Sequence, residues 1–168
     1  MTAEGIGTMK VSDLMTKEVR ACHQHDSLNR AAQLMWENDC GAVPVIDSDL
    51  KVVGMLTDRD ICMAAYTQGV ALLDASVGSA MSCDVCVCAA SDNITSAAEQ
   101  MRERQIRRLP VVDKESRLVG ILSMSDIARE ADRLRASKSK KRPIKDGELV
   151  ETLGAICSRH NGSASHAA

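Results

Sequence analysis

Short apolar runs alternate along the chain with stretches in which apolar residues recur every three or four positions. The second spacing occupies residues 28–35 and predicts an amphipathic helix. Within the apolar run at 42–46, Pro44 is expected near the start of a strand or on an edge strand. The predicted elements of the first half of the chain are therefore a strand at 19–22, a helix beginning at 26–28, strands at 42–46 and 51–56, and a helix from Asp60 to about Gln68.

The same pattern returns 66 residues further along the chain without a gap. The sequence VGMLTDRDI at 53–61 returns as VGILSMSDI at 119–127, and VPVID at 43–47 returns as LPVVD at 109–113. Because helix, turn and strand positions agree together, the repetition indicates an internal duplication. Each copy has roughly 55–60 residues and would be marginal alone, so we expect the copies to pack their apolar sheet faces together.

The duplication sets the expected domain boundaries. After the second copy, the basic run 138–142 precedes a short amphipathic helix at 148–157 and a polar tail that we expect to be disordered. The predicted units are a lead-in at 1–10, the first repeat at 11–68, a linker at 69–76, the second repeat at 77–134, and the C-terminal region at 135–168.

Composition narrows the possible functions. The chain has 168 residues and a formal net charge of −2. It therefore has no overall positive electrostatic potential that would attract nucleic acid or anionic lipid. With no Phe, one Trp and one Tyr, it has almost no aromatic surface for stacking on bases. No apolar run approaches the roughly 20 residues of a membrane span, and the start lacks signal-peptide features, so we expect a cytoplasmic protein with no membrane or nucleic-acid partner. No set of nucleophile, base and acid is recognisable, and we predict that the chain is not an enzyme.

Seven cysteines without a signal peptide make a disulfide framework a poor explanation. Three of them lie within six positions, namely Cys83, Cys86 and Cys88, and a metal site there would take a further ligand from Cys22, His23 or His25. Strand alternation places only Cys86 and Cys88 on one face, and nothing in the sequence lowers a thiol pKa. Structural thiols are the preferred interpretation, with zinc binding or redox sensing as the alternative.

The most specific local feature is the corner between strand and helix in each repeat. Thr57 and Asp60 occupy it in the first copy, and Ser123 and Asp126 occupy it in the second. One interpretation is structural, because a hydroxyl caps a helix and an acid in the first turn suits the helix dipole. The other is functional, because the hydroxyl, exposed amides and acid together suit a ribose or a phosphate. The residues themselves leave both interpretations open.

The repeated pattern of DLMT at 13–16, VPVID at 43–47 and GMLTDRD at 54–60 resembles a tandem pair of CBS domains over residues 11 to about 134. The resemblance implies an α+β fold in which two βαββα repeats pack through their sheets as a pseudo-twofold pair. It also implies two clefts between the repeats that bind adenosine-containing ligands, commonly AMP, ADP or ATP. In each cleft the acid, Asp60 or Asp126, would hold the ribose hydroxyls, since a carboxylate accepts hydrogen bonds from both hydroxyls of a diol.

The resemblance also implies the remaining contacts of each cleft. Thr57 or Ser123 would contact ribose or phosphate, and adenine would lie against the opposite repeat. In the cleft ending at Asp126, the adenine contacts would be Thr16, Val19, Ala21, Val43 and Pro44. In the cleft ending at Asp60, they would be Ser82, Val85, Val87, Leu109 and Pro110. Arg59 and Ser125, in the first turns of the two helices, complete the candidate set.

Arg107 and Arg108 stand where family members often place phosphate-binding side chains. The first repeat has Gly41 and Ala42 at the equivalent positions. Because the two arginines adjoin the adenine-contacting strand of the Asp60 cleft, we predict that they serve that cleft. It would then be the better site for a phosphorylated ligand.

The predicted function is a regulatory module that senses adenine nucleotides. The nucleotide acts as a regulatory ligand and no further cofactor is required. A homodimer is expected, together with an unidentified protein partner. The alternatives are a ligand-free dimeric scaffold in protein interaction or stress response, and a zinc or thiol-redox sensor.

Overall fold

The computed structural model describes residues 9–137 and 146–157. Both repeats have the order strand, helix, strand, strand, helix. The first repeat consists of the four-residue helix α1 (Val11–Leu14), β1 (Cys22–His23), α2 (Leu28–Glu37), β2 (Ala42–Ile46), β3 (Val52–Thr57) and α3 (Asp58–Gln68). The second consists of a 3₁₀ turn (Val77–Ser79), β4 (Cys88–Ala89), α4 (Ile94–Arg104), β5 (Arg108–Val112), β6 (Leu118–Ser123) and α5 (Met124–Ala136), and helix α6 (Asp146–Cys157) follows.

Three predictions concern residues outside these ranges. They are the loose lead-in before residue 9, the basic run 138–142 and the disordered tail after residue 157. The short helix predicted at 148–157 lies within α6. Every helix in the described ranges is too short or too polar to cross a lipid bilayer.

Each repeat forms a three-stranded sheet with its second strand in the centre. In the first sheet, β1 pairs parallel with β2, and β2 pairs antiparallel with β3. The second sheet repeats this topology with β4, β5 and β6. The register repeats as well, since Ala42 lies opposite Thr57 and Arg108 lies opposite Ser123. The predicted α+β fold of two βαββα repeats is confirmed.

The structure corrects the expected position of Pro44. This residue lies in the middle of the central strand β2, neither at its start nor on an edge strand. The sheet tolerates proline there because β1 pairs with β2 only at Val45 and Ile46, so no β1 residue is paired with position 44. The Pro44 carbonyl instead accepts a long hydrogen bond from the Cys22 thiol, with an Sγ···O distance of 3.9 Å.

The first segment of each repeat crosses to the other repeat. Val11 in α1 is fully buried in the core of the second repeat, and Val77 is fully buried in the core of the first. Thr16 pairs with β6 and Ser82 pairs with β3, each through two backbone hydrogen bonds of 2.9 and 3.0 Å. Each sheet therefore continues into chain from the other repeat, which fixes the two repeats against each other.

Glycine is required where these crossing segments meet the sheets. A Cβ atom at Gly120 would lie 2.6 Å from the sulfur of Met15 and 3.1 Å from the backbone oxygen of Thr16. At Gly54 the equivalent distances to the other crossing segment are 2.5 Å and 3.3 Å. The glycine near the start of each repeated sequence, VGMLTDRDI and VGILSMSDI, thus permits the close approach of the two repeats.

Helix α6 lies outside the duplicated unit and packs on the second repeat. Ile156 is buried in the core of that repeat, and Leu149 packs against the same core. The side-chain amide of Gln105, which follows α4, donates a hydrogen bond to the Ala155 carbonyl, with an Nε2···O distance of 3.0 Å. The helix therefore covers the outer side of α4.

Candidate functional site

The two predicted corners share one geometry, a capping box at the start of α3 and of α5. Oδ2 of Asp60 accepts hydrogen bonds from the backbone N–H of Thr57 (2.9 Å) and from its hydroxyl (2.7 Å). The hydroxyl oxygen in turn accepts one from the Asp60 N–H (3.2 Å). Asp126 and Ser123 form the same three bonds at 2.9, 2.6 and 3.3 Å. Each acid therefore stabilises a helix start through Oδ2 and leaves Oδ1 outside the capping box.

The second carboxylate oxygen distinguishes the two acids. Oδ1 of Asp126 accepts a hydrogen bond from the guanidinium of Arg129, one helical turn later. The equivalent position in the first repeat is Met63, which offers no charge. The Asp126 side chain is 10% exposed while that of Arg129 is 77% exposed. Contacts at both oxygens thus orient Asp126, and the exposed arginine adds positive charge to this corner.

A cavity of about 670 Å³ lies at the second corner, between the two repeats. This volume is in the range of small-molecule sites. Its walls come from the crossing segment 16–20, the turn after α2 at 38–42, the starts of β5 and α5, and the end of α6. Of the predicted ligand-binding residues, it contains Thr16, Val19, Arg107, Arg108, Ser123, Ser125 and Asp126.

Three residues predicted for this cleft do not line the cavity. Val43 and Pro44 are buried within β2, and Ala21 is half-buried outside the lining. Ala42, at the start of β2, lines the cavity instead. The strand therefore offers its first residue to the site, and its later residues belong to the core.

The structure also corrects the cleft to which Arg107 and Arg108 were assigned. Arg108 begins β5 and lies opposite Ser123 on β6, and the Arg107 carbonyl accepts a hydrogen bond from the backbone N–H of Met124 (2.9 Å). Antiparallel pairing within the repeat therefore places both arginines in the Asp126 cavity and not with Asp60. The position of the later β5 residues did not predict the cleft of the two arginines, because that strand runs away from the corner after Arg108.

Apart from Arg107 and Arg108, the residues predicted for the other cleft are absent from this cavity. Thr57, Arg59 and Asp60 lie at the first corner, beside Gly41 and Ala42 where the second repeat has its arginine pair. Ser82 pairs with β3 through its backbone. The buried side chains of this set are Leu109 and Pro110 in β5, whereas Val85 and Val87 lie in irregular chain before β4.

Four arginines and three acids line the cavity, so its formal charge is slightly positive. Among these arginines, only Arg129 has a carboxylate partner there. In the ranges that the structure describes, Arg20, Arg107 and Arg108 form no ion pair. The acids besides Asp126 are Glu18 and Asp39, which offset part of the arginine charge. Guanidinium groups without carboxylate partners suit a phosphate, which they bind with two parallel hydrogen bonds.

Sequence reasoning missed the contribution of α6 to this cavity. Leu153, Ile156 and Cys157 form part of its wall. The amphipathic spacing of residues 148–157 indicated that the helix packs on something. A single sequence carries no signal for the surface on which such an appended helix docks.

The sequence profile of the CBS domain matches residues 11–66 and 77–133. The chain belongs to the CBS-domain family. Its relative hypoxic response protein 1 of Mycobacterium tuberculosis is 34% identical over 146 residues, which cover 87% of this chain and 92% of that protein. The tandem CBS prediction is confirmed.

Solved CBS structures agree with this assignment. The crystal structure of hypoxic response protein I with two coordinated zinc ions has a TM-score of 0.66 and 36% identity, and the match covers 72% of this chain and 98% of that one. The crystal structure of CBSX2 in complex with AMP also has a TM-score of 0.66, with 30% identity over 75% of this chain and 98% of that one. An adenosine ligand is thus known for a protein of closely similar fold.

Two cysteines of this CBS pair are core residues at equivalent positions, Cys22 in β1 and Cys88 in β4. Burial is the main cause that raises the pKa of Cys22 to about 11 and that of Cys88 to about 12. The nearby carboxylates of Asp26 and Asp92 raise these pKa values further. Both thiols are therefore protonated at neutral pH and unreactive.

The candidate metal cluster is dispersed in the structure. Cys83 is exposed, the half-buried Cys86 thiol donates to the side-chain oxygen of Gln100 (3.6 Å), and Cys88 is buried in the core. Among the side chains that the structure describes, no three His, Cys, Asp or Glu residues are grouped so that they could hold a metal ion. We therefore assign no zinc site to these residues.

A second cavity, of about 490 Å³, lies on the outer side of the first repeat between α2 and α3. Its lining includes Trp36, Asp39 and Asp58, and no lysine or arginine. Trp36 is 89% exposed and Tyr66 on α3 is 82% exposed, and Met63 is also exposed. This cavity together with Trp36, Met63 and Tyr66 is termed the α2–α3 surface.

Proposed function

We propose that this CBS pair is a regulatory module that binds an adenine nucleotide, AMP, ADP or ATP, in the Asp126 cavity. The observation that carries the proposal is the presence of Arg107 and Arg108 beside Ser123 and Asp126 in one cavity. A carboxylate suits the ribose hydroxyls and a pair of guanidinium groups suits a phosphate, so one nucleotide would satisfy both. The AMP complex of CBSX2 supports the same ligand class.

The regulatory role follows from the position of the cavity. Its walls come from both repeats, so a bound nucleotide contacts residues 16–20 and 38–42 of the first and residues 107–129 of the second. A ligand that binds one arrangement of the repeats more tightly than another shifts the population toward that arrangement. A protein partner that distinguishes the two arrangements would receive the signal.

A thermal-shift screen tests the ligand class. AMP, ADP and ATP should each raise the melting temperature, because a ligand that binds only the folded state stabilises it, by about 2.7 kcal/mol at 100 times Kd. NAD and S-adenosylmethionine extend the screen, and adenosine serves as the control that lacks phosphate. The double substitution Arg107→Ala, Arg108→Ala should remove the advantage of AMP over adenosine. No stabilisation by any of these compounds would contradict the proposal.

We also propose that the module forms a homodimer through the α2–α3 surface. A two-fold contact joins identical surfaces, so the surface must be complementary to itself. The α2–α3 surface carries both an exposed tryptophan and a groove. Exposed tryptophan and tyrosine are typical of interface centres. In the second repeat the positions equivalent to Trp36 and Asp39 are Arg102 and Gln105, and both contact α6. The chain thus covers one of its two equivalent surfaces with its own helix.

The dimer surface would also serve the alternative function, a ligand-free scaffold for a protein partner. The two functions differ in whether the Asp126 cavity binds an adenine compound. A dimer that no adenine compound stabilises would favour the scaffold. A dimer that AMP stabilises would favour the regulatory module.

A further inference from the structure

We infer that α6 is part of the ligand site, so that docking of this helix and binding of a nucleotide in the Asp126 cavity reinforce each other. The inference rests on the proposed function, since it concerns the same cavity. It adds residues from outside the duplicated unit to the site. It also names the element whose state would report whether ligand is bound.

Helix α6 presents two adjoining faces. Leu149, Thr152 and Ile156, spaced three or four residues apart, are the side chains turned to the second repeat, and Thr152 and Ile156 are buried. Leu153 and Cys157, one turn apart, line the cavity together with Ile156. The same helix therefore contacts the protein core on one face and the ligand space on the next.

The cavity lining combines charged and less polar side chains. Arg107 and Arg108 lie where β5 begins, and α6 contributes Leu153, Ile156 and Cys157. A nucleotide likewise combines charged phosphates with a base and sugar that carry no charge. A nucleotide whose phosphates contact the arginines can bury its uncharged base and sugar against α6. It can do so only while that helix is docked.

The docking of α6 combines burial with polar contacts. Thr152 and Ile156 are buried, and Leu149 packs on the core. The Gln105 side chain donates a hydrogen bond to the Ala155 carbonyl, and the Arg102–Glu151 pair is long, at 4.0 Å, and largely exposed. A 12-residue helix detached from its protein is marginal in water, so undocking would also unfold α6. Ligand contacts with Leu153, Ile156 and Cys157 would add to these anchors and so raise the docked fraction.

The coupling between α6 docking and nucleotide binding is reciprocal, so it can be measured through the docking of the helix or through the affinity for the nucleotide. If docking raises the nucleotide affinity by some factor, the nucleotide must favour docking by the same factor. Hydrogen exchange measures the second effect, because backbone amides of α6 exchange when the helix undocks and unfolds. Calorimetry measures the first effect in variants that weaken docking.

The exchange experiment uses the full chain with and without AMP. Bound AMP should slow amide exchange in residues 146–157, and the Asp126→Ala variant should need a 10-fold to 100-fold higher AMP concentration for the same protection. Unchanged or faster exchange of α6 in AMP-saturated protein would overturn the inference. Absence of AMP binding by calorimetry would instead remove the proposed function, so the two failures are distinguishable.

Leu149 and Val150 provide a matched pair for calorimetry. Leu149 packs on the core and does not line the cavity, whereas Val150 is exposed. Leu149→Ser should weaken AMP binding by about threefold to tenfold through the loss of docked helix, and Val150→Ser should leave it unchanged. Equal AMP affinity in Leu149→Ser and wild type would overturn the inference. If Leu149→Ser fails to fold by circular dichroism, Gln105→Met replaces it, because methionine keeps the side-chain length and removes the amide that donates to the Ala155 carbonyl.

Discussion

Asp60 and Asp126 form the same capping box, yet the residues that surround them differ. A capping box is local, so the sequence could predict that each acid lies beside its hydroxyl residue. It could not predict that Arg129 contacts Asp126, nor that Arg107 and Arg108 share its cavity, because those contacts depend on strand pairing. The duplicated corners are therefore equal in backbone structure and unequal in chemistry.

Cysteine reactivity should follow burial in this protein. At pH 8, iodoacetamide should alkylate the exposed Cys83 and Cys157 well before Cys22 and Cys88. The raised pKa values of the two core thiols leave a thiolate fraction below about 1 in 100 at that pH. Peptide mapping by mass spectrometry over a time course checks this, and rapid alkylation of Cys88 in folded protein would contradict it.

The same thiols should make the fold less stable in alkali. Their pKa values, about 11 and about 12, lie above that of an unfolded thiol, so the unfolded chain loses these protons first as the pH rises. The stabilisation they contribute is complete below about pH 8.5 and is lost as the pH rises through the folded-state values.

At the scale of elements, the two βαββα units were predictable because the duplication presents each pattern twice. The exchange of first segments between the repeats was not predictable from the same information. Val11 belongs to the first repeat in sequence and to the core of the second in space. Sequence periodicity shows which face of an element is apolar, but it does not show which of two equivalent cores that face enters.

Substitution of the motif glycines tests this exchange. Gly120→Ala should lower the free energy of unfolding by about 1–3 kcal/mol, because the new methyl group meets the Met15 side chain and the Thr16 carbonyl. Gly147→Ala is the matched control, since in the described residues no atom beyond its chain neighbours and its own helix backbone lies within 4 Å of the added Cβ, and alanine favours a helix. Urea denaturation measures both variants. Equal stability of Gly120→Ala and wild type would show that the crossing segment moves away at no cost.

At the scale of the whole molecule, the pseudo-twofold symmetry is broken at two places. The arginine pair makes the clefts unequal, and α6 covers the outer side of the second repeat only. The first asymmetry was predicted from the sequence but attached to the wrong cleft. The second was not predicted, because the helix has no counterpart in the first repeat from which its position could be read.

The uncovered α2–α3 surface should make the protein dimeric in solution. Trp36→Glu should shift sedimentation equilibrium toward the monomer, while Leu50→Glu, which also replaces an exposed apolar side chain, should not. Since Trp36 is the only tryptophan, its emission should move to shorter wavelength as the concentration rises and the dimer forms. A monomer with constant emission at every concentration would contradict this assembly.

The most direct test of the central claim compares the two corner acids. Asp60→Ala and Asp126→Ala each remove one capping box. Each substitution should therefore lower the free energy of unfolding by a similar amount, about 0.5–2 kcal/mol. Only Asp126→Ala should weaken AMP binding in calorimetry, by about 10-fold to 100-fold, for the loss of charged hydrogen bonds to ribose. AMP bound equally well by Asp126→Ala and wild type, or weakened only in Asp60→Ala, would contradict the placement of the site.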